Sequence, residues 1–160
     1  MRKSPRGFSL IELLIVVAII LIIAAIAIPN LLRSRIAANQ ASAVGSLRTL
    51  NTAEITYSST YNTGFSYSLA YLQPPSGAAN PTVTAAGLID NILAAGTKSG
   101  YSFTYSPGPS DSTGRINTYQ FTAQPITAST GTNYYFTDQS GVIRQNSTTT
   151  AGSSDSPIAG

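Results

Sequence analysis

A continuous run of sixteen apolar residues, Leu13–Ile28, limits what this chain can fold into more than any other feature of its sequence. The wider apolar stretch begins at Phe8 and is interrupted only by Ser9 and Glu12. As an α-helix, residues 8–28 would span roughly 30 Å, which is enough to cross a lipid bilayer. We therefore predict a transmembrane helix at residues 8–28.

The segment before this run, residues 1–7, is short and basic, with the sequence MRKSPRG. Secretory signal peptides share such a basic start, but they end in a small-residue A-x-A cleavage pattern. No such pattern closes this run, which is followed by Pro29 and by a further stretch of helical composition. An ordinary single-pass anchor or an uncleaved signal is one interpretation of these residues.

Glu12 argues against a plain anchor. An acidic side chain costs roughly 2.5–3.5 kcal/mol near the centre of a membrane helix and less near its end, and an anchor gains nothing from it. If the chain were cut between Gly7 and Phe8, the new amino group would lie one helical turn from the Glu12 carboxylate, on the same chain or on a packed neighbour. In apolar surroundings such a pair offsets much of the desolvation cost.

The sequence RGFSLIELLIVVAII, residues 6–20, closely resembles the class III signal peptide of type IV pilins and type II secretion pseudopilins. The resemblance implies that a prepilin peptidase cleaves between Gly7 and Phe8 and then N-methylates Phe8. It also implies that Phe8, Glu12 and Pro29 take part in subunit assembly, since the family usually has a proline where Pro29 stands. Many pilins have a glycine in the first part of this helix, but here none lies between Phe8 and Pro29.

The composition of the whole chain argues against catalysis. The chain has neither cysteine nor histidine, which excludes thiol nucleophiles, thiolate metal sites, disulfides and the usual general base. Outside the first seven residues, the chain has six basic and six acidic side chains, so their formal charges cancel. These residues lack the cluster of Lys and Arg that nucleic-acid binding requires. We predict that the protein is not an enzyme, uses no cofactor and does not bind nucleic acid.

Pro29 either ends the apolar helix or lies inside a longer one. Proline costs roughly 3 kcal/mol or more within a helix, yet an apolar stripe continues after it at helical spacing. The stripe consists of Leu32, Ile36, Ala43, Leu47, Leu50, Tyr57 and Tyr61, with Asn39 and Glu54 in the same arc. We predict one helix from about Ser9 to Ser59, kinked at Pro29. Its second half, residues 29–61, would be amphipathic and would pack on a sheet.

Residues 62–145 have the composition of a small globular domain. Prolines and glycines between residues 62 and 87 indicate an extended loop, and residues 87–100 fit a helical turn followed by a glycine-rich return. The segment that follows contains the aromatic alternation typical of strands.

Alternating aromatic residues predict strands at 101–105, 117–126 and 133–144, the last with a hairpin turn at residues 138–141. The end of the chain, residues 146–160, is rich in Ser and Thr and is predicted to be a flexible tail. The expected fold is α+β: the pilin fold, with one long N-terminal helix on a roughly four-stranded antiparallel sheet.

The loop at residues 106–114, SPGPSDSTG, contains the one candidate metal ligand. Major pseudopilins carry a comparable loop, rich in Asp, that binds calcium. Calcium needs six to eight oxygen ligands, and Asp111 is the only charged residue of this loop. We predict no metal site and keep Asp111 as a weak candidate. Pilins also commonly close a C-terminal loop with a disulfide, which a chain without cysteine must replace by strand pairing or by neighbouring subunits.

The resemblance implies a structural protein, a pilin that polymerises through its N-terminal helix into a type IV pilus-like surface filament. The implied partners are copies of itself, the prepilin peptidase, and an inner-membrane assembly platform with cytoplasmic ATPases. The subunit would cross the inner membrane once before assembly, with its globular part outside the cytoplasm, and would then join an extracellular filament. The alternatives are a type II secretion pseudopilin, which forms a short periplasmic pseudopilus, and, from another class, a membrane-anchored binding domain.

Overall fold

The computed structural model of the protein describes residues 7–77 and 79–158. A long helix is followed by two short helical segments and then by strands only. The helices are α1 (Leu10–Tyr61), a 3₁₀ helix (Leu69–Leu72) and α2 (Asn91–Ala94). The strands are β1 (Thr97–Lys98), β2 (Tyr101–Pro107), β3 (Tyr119–Pro125), β4 (Tyr134–Asp138), β5 (Arg144–Asn146) and β6 (Ser156–Pro157). Apart from Gly7, the predicted leader lies outside the described residues.

The six strands form one antiparallel sheet in which each strand pairs with the next along the chain, in the order β1-β2-β3-β4-β5-β6. This confirms the predicted α+β class, with one long N-terminal helix and an antiparallel sheet. The strand count differs, because the sequence predicts about four strands and the structure has six. The two additional strands, β1 and β6, have two residues each and lie at the two edges.

The inner face of the sheet follows from the aromatic alternation in β2 and β3. Tyr101 and Phe103 are buried on β2, and Tyr119, Phe121 and Ala123 are buried on β3, with more exposed polar residues between them. Opposite strands meet in a register that pairs Phe103 with Ala123 and Tyr105 with Phe121. Cross-strand pairs of this kind are what stabilises an antiparallel sheet.

The second half of α1 supplies the other side of the core. Ala43, Leu47, Leu50 and Tyr57 are almost completely buried, as the stripe predicts. Leu32 is 44% exposed, so the buried part of the stripe begins further along the helix than the sequence indicates.

Pro29 does not end the helix, because α1 is continuous from Leu10 to Tyr61. Proline has no N–H to donate, so the helix loses one backbone hydrogen bond at this position. The kink at Pro29 stays a prediction. The chain divides into two compact units, with the boundary between Arg35 and Ile36.

The C-terminal segment, which the sequence predicts as a flexible tail, makes specific contacts. Ser156–Pro157 forms β6 against β5, Ala151 is buried, and the Ile158 N–H donates to the Ile143 carbonyl over 2.9 Å. The Asp155 carboxylate accepts hydrogen bonds from Asn146 Nδ2 at 2.9 Å and from the Gly152 N–H at 2.7 Å. Residues 146–158 thus make specific contacts that a Ser/Thr-rich composition does not reveal, and the flexibility of this tail stays a prediction.

Arg144 completes this closure, since its Nη1 donates to the Asp155 carbonyl over 2.9 Å. Strand pairing and side-chain hydrogen bonds thus hold the C-terminal loop within one chain. Of the two replacements for a disulfide considered above, strand pairing and neighbouring subunits, the structure shows strand pairing.

Candidate functional site

The predicted cleavage site lies in a non-helical segment ahead of α1. Gly7, Phe8 and Ser9 precede the first helical residue, Leu10, and all of them are exposed. Phe8 is 80% exposed. Among residues 7–77 and 79–158, a Cβ atom added to Gly7 would meet no other atom within 4 Å. The packing of these described residues therefore does not require glycine at position 7.

The first part of α1 presents apolar side chains on all sides. An 18-residue window of this helix has a mean hydropathy of 3.3, and none of it is buried. The helix is long and apolar enough to cross a membrane. The exposed large side chains in this part are Leu10, Ile11, Leu13, Leu14, Ile15, Val16, Val17, Ile19, Ile20, Leu21, Ile22, Ile23, Ile26 and Ile28.

Glu12 is the acidic residue in the first turn of α1. Its Oε2 atom accepts a hydrogen bond from the Ser9 N–H over 2.9 Å. The Ser9 carbonyl accepts the Leu13 N–H over 3.2 Å, which is the first bond of the helical pattern. The structure thus gives the predicted assembly residue a partner within its own chain, three residues earlier.

Beyond Pro29, polar residues join the exposed apolar ones on helix α1. Leu31 and Leu32 are still exposed. Arg33, Ser34 and Arg35 are also exposed, and the Ser34 hydroxyl donates to the Asn30 carbonyl over 3.0 Å. The boundary of the membrane segment at Ile28 stays a prediction.

Comparison with known proteins identifies this N-terminal segment. Residues 2–28 match the family described as the prokaryotic N-terminal methylation motif. The chain is 53% identical over 55 residues to the type IV major pilin protein PilA of Myxococcus xanthus. It is 62% identical over 37 residues to the type IV wide pilus major component PilA4 of Thermus thermophilus. The N-terminal segment of the chain is thus similar to that of type IV pilins.

The similarity to these two members of the superfamily is confined to part of each protein. The match to the Myxococcus pilin covers 33% of this chain and 25% of the relative, and the match to the Thermus protein covers 23% and 28%. The chain thus spans about a quarter of the length of the curated relatives that it matches. No solved structure matches the chain.

Asp111 lies in the loop where the resemblance to pseudopilins raised the question of calcium. Its Oδ1 accepts hydrogen bonds from the N–H and the hydroxyl of Thr113, at 2.8 and 2.6 Å, and from the Arg115 N–H at 3.0 Å. Its Oδ2 accepts from Asn117 Nδ2 at 2.8 Å. These hydrogen bonds, the one from the Thr113 hydroxyl above all, hold the pKa of Asp111 well below its usual range. The carboxylate thus organises this loop directly.

No group of three or more carboxylate, histidine or cysteine side chains that could hold a metal ion occurs among residues 7–77 and 79–158. Both oxygens of the Asp111 carboxylate accept hydrogen bonds from nearby residues of its own chain.

A buried carboxyl group, Glu54, is the feature whose role sequence analysis missed. Glu54 is fully buried on α1, where its Oε2 accepts the Ser66 N–H at 2.9 Å and its Oε1 accepts the Ser66 hydroxyl at 2.6 Å. Tyr105 donates to the Ser66 carbonyl over 2.6 Å, so strand β2 joins the same cluster. Burial raises the pKa of Glu54, and the hydrogen bonds from Ser66 offset part of that rise.

A second polar group lies one turn earlier on the same face. Asn51 Nδ2 donates to the Thr137 hydroxyl over 2.8 Å, and the Tyr119 hydroxyl donates to Asn51 Oδ1 over 3.1 Å. Asn51 and Thr137 are both buried. These bonds connect α1 to β3 and β4, which fixes the register of helix against sheet.

Proposed function

We propose that the protein is a structural subunit that polymerises through residues 8–28 of α1 into a type IV pilus-like surface filament. The observation that carries this proposal is the apolar window of α1, of which no part is buried within the chain. A surface of this kind is stable only when lipid or other apolar helices cover it. The two relatives, which are named as major components of type IV pili, support filament helices as that cover.

Processing by a prepilin peptidase would produce the mature subunit, with cleavage between Gly7 and Phe8 and N-methylation of Phe8. The match to the N-terminal methylation motif supports this step. Gly7 supports it as well, because a glycine allows close approach to the backbone and no atom of the described residues lies within 4 Å of a Cβ added there. The exposed, non-helical conformation of residues 7–9 suits such an approach.

Before assembly, the subunit would cross the inner membrane once through α1, with residues 36–160 outside the cytoplasm. An inner-membrane platform with cytoplasmic ATPases would then transfer it into an extracellular filament made of copies of itself. The role is structural, and the chemistry of the chain supports no catalytic step.

The test combines mass spectrometry with electron microscopy of filaments sheared from the native cell. We expect filaments that contain this chain, with an intact mass corresponding to N-methyl-Phe8 as the first residue. Gly7→Leu should block processing, whereas Gly45→Leu, at an exposed helical glycine that also has open space around it, should be processed normally. Sheared filaments that lack the chain, with all of it retained in membranes, would contradict the proposal and would favour a membrane-anchored binding domain.

A further inference from the structure

Two arginines, Arg33 and Arg35, follow the exposed apolar part of α1. Both are exposed, and no acidic residue lies between Glu12 and Glu54 in the sequence. In the part of the chain that the structure describes, the single ion pair joins the start of α2 to β1. This stretch of α1 therefore carries positive charge for which the described residues supply no ionic partner.

The position of the two arginines along α1 matches the depth of a lipid headgroup layer. If the hydrocarbon core of a bilayer ends at Ile28, Arg33 and Arg35 lie roughly 7 and 10 Å beyond it along the helix, and the headgroup layer extends about 5–8 Å beyond the core. If the exposed Leu31 and Leu32 also lie in the core, the arginines lie closer to it. Helical side chains lean toward the N-terminus of their helix, which here is the direction of the membrane. The long arginine side chains thus extend back to the level of the lipid phosphates.

The two arginines lie on nearly opposite sides of α1, since two residues correspond to a rotation of about 200° around a helix. A protein surface packed on one side of α1 would meet one arginine and leave the other. Lipid headgroups surround a membrane helix on all sides and therefore meet both. Phosphate also suits arginine, because the planar guanidinium donates two parallel hydrogen bonds to it. The geometry therefore favours lipid phosphates over a neighbouring protein.

We propose that Arg33 and Arg35 each bind the phosphate group of an anionic phospholipid, in the leaflet on the side of the membrane where residues 36–160 lie. This inference rests on the proposed function in one respect, that α1 crosses a membrane before assembly. Basic residues beside a membrane span are more often found on its cytoplasmic side, and binding to lipid phosphates explains two of them on the other side. These contacts hold the helix at a fixed depth until the subunit leaves the membrane.

The experiment measures lipid binding to the full chain in neutral detergent micelles by native mass spectrometry. Phosphatidylglycerol is the anionic probe, and phosphatidylcholine, whose phosphate carries no net lipid charge, is the reference. We expect Arg33→Gln and Arg35→Gln each to weaken phosphatidylglycerol binding about five-fold, as expected for the loss of one basic residue at an anionic membrane surface. Each variant should also lose one tightly bound phosphatidylglycerol, and the double variant should lose two. Phosphatidylcholine binding should not change.

Arg48→Gln is the matched control, because it removes an exposed arginine from the same helix within the folded unit of residues 36–160. It should bind phosphatidylglycerol as wild type does, and the basic residues of the leader are the same in every variant. Equal phosphatidylglycerol affinity in wild type and the double variant would overturn the inference. So would an equal loss in Arg48→Gln, which would indicate a general attraction to positive charge, or a loss from only one of the two arginines, which would indicate a partner on one side.

Filament yield from the cell, measured on the same variants, separates this inference from the proposed function. A wild-type chain that binds phosphatidylglycerol through both arginines but is absent from filaments would contradict the filament role and leave the lipid contacts standing. Wild-type lipid binding by the double variant, together with few filaments, would indicate that the arginines contact a neighbouring subunit instead of lipid, and would overturn the inference.

Discussion

At the scale of one residue, Glu54 is a buried acid whose carboxylate is stabilised by hydrogen bonds and not by a cation. Its carboxylate has no exposed surface, and both of its oxygens are bonded to Ser66. Burial of a charge without a cationic partner disfavours the ionised form, and the raised pKa of Glu54 reflects that cost. The aromatic hydroxyls packed nearby, those of Tyr57, Tyr105 and Tyr119, also have raised pKa values through burial and stay neutral at ordinary pH.

We predict that Glu54 contributes more to the stability of the globular unit in acid than at neutral pH. Because its pKa is higher in the folded chain than the ordinary value of 4.5, the folded state binds the proton more tightly. The stability that Glu54 contributes is therefore fully present below pH 4.5 and is lost as the pH rises through the folded pKa. Denaturant unfolding of residues 36–160 at a series of pH values measures this effect.

Glu54→Gln is the control, because it keeps two hydrogen-bonding atoms and removes the titration. The difference in unfolding free energy between wild type and Glu54→Gln should shift in favour of the variant as the pH is raised from 4.5 to neutral. A difference that does not change with pH would show that Glu54 does not titrate on folding. The exposed Asp90 and Asp111, whose pKa values are lowered, have the opposite pH dependence and cancel in this comparison.

At the scale of secondary-structure elements, the second half of α1 depends on its buried face. Leu47 has no exposed surface, whereas Ile55 on the same helix is 60% exposed. We expect Leu47→Ala to lower the free energy of unfolding by about 2–5 kcal/mol, because it removes buried methyl groups and leaves a cavity. Ile55→Ala should change it by no more than about 0.5 kcal/mol. Similar effects of the two changes on chemical denaturation would contradict the helix-on-sheet packing.

The β5–β6 loop gives a second prediction at this scale. Asp155→Ala removes the acceptor of Asn146 Nδ2 and of the Gly152 N–H. We expect a loss of about 1–3 kcal/mol, the cost of leaving such groups unsatisfied. Exchange of the Gly152 and Ile158 amides should increase more than exchange in β3. Ser154→Ala, at an exposed position of the same loop, is the matched control, and an equal effect of both changes would refute a specific role for Asp155.

At the scale of the whole molecule, the division between Arg35 and Ile36 separates an apolar helical segment from a unit with its own core. We predict that residues 36–160 fold without the membrane segment, because the described core residues all lie after Ile36. The expected result is a soluble monomer with one cooperative unfolding transition in circular dichroism and in tyrosine fluorescence. Aggregation, or the absence of a transition, would show that the apolar segment is needed for folding.

How much of this molecule the sequence predicts depends on the range of the interactions involved. The N-terminal motif and the alternation in β2 and β3 are local patterns, and they predicted the helix, the strands and the similarity to pilins. The short strands β1 and β6 carry no alternation, since each has only two residues. Their pairing depends on where the neighbouring strands lie, which a local pattern does not contain.

Glu54 illustrates the same limit for side chains. In the sequence it interrupts the apolar stripe of α1 as a single polar residue. Its partner, Ser66, lies twelve residues later in a loop beyond the end of the helix, and only the folded chain brings them together. Asp155 is a similar case, because Ser/Thr-rich composition concealed the few hydrogen bonds within its loop.

The closure of the C-terminal loop by Asp155 has a consequence for how the protein reaches its folded state. The bonds join only nitrogen and oxygen atoms, so the loop closes without an oxidant, a thiol oxidase or a disulfide isomerase. A loop that closes wrongly can reopen and close again within the time of an ordinary local fluctuation. Closure of this loop therefore does not depend on oxygen, and thiol reductants leave it unchanged.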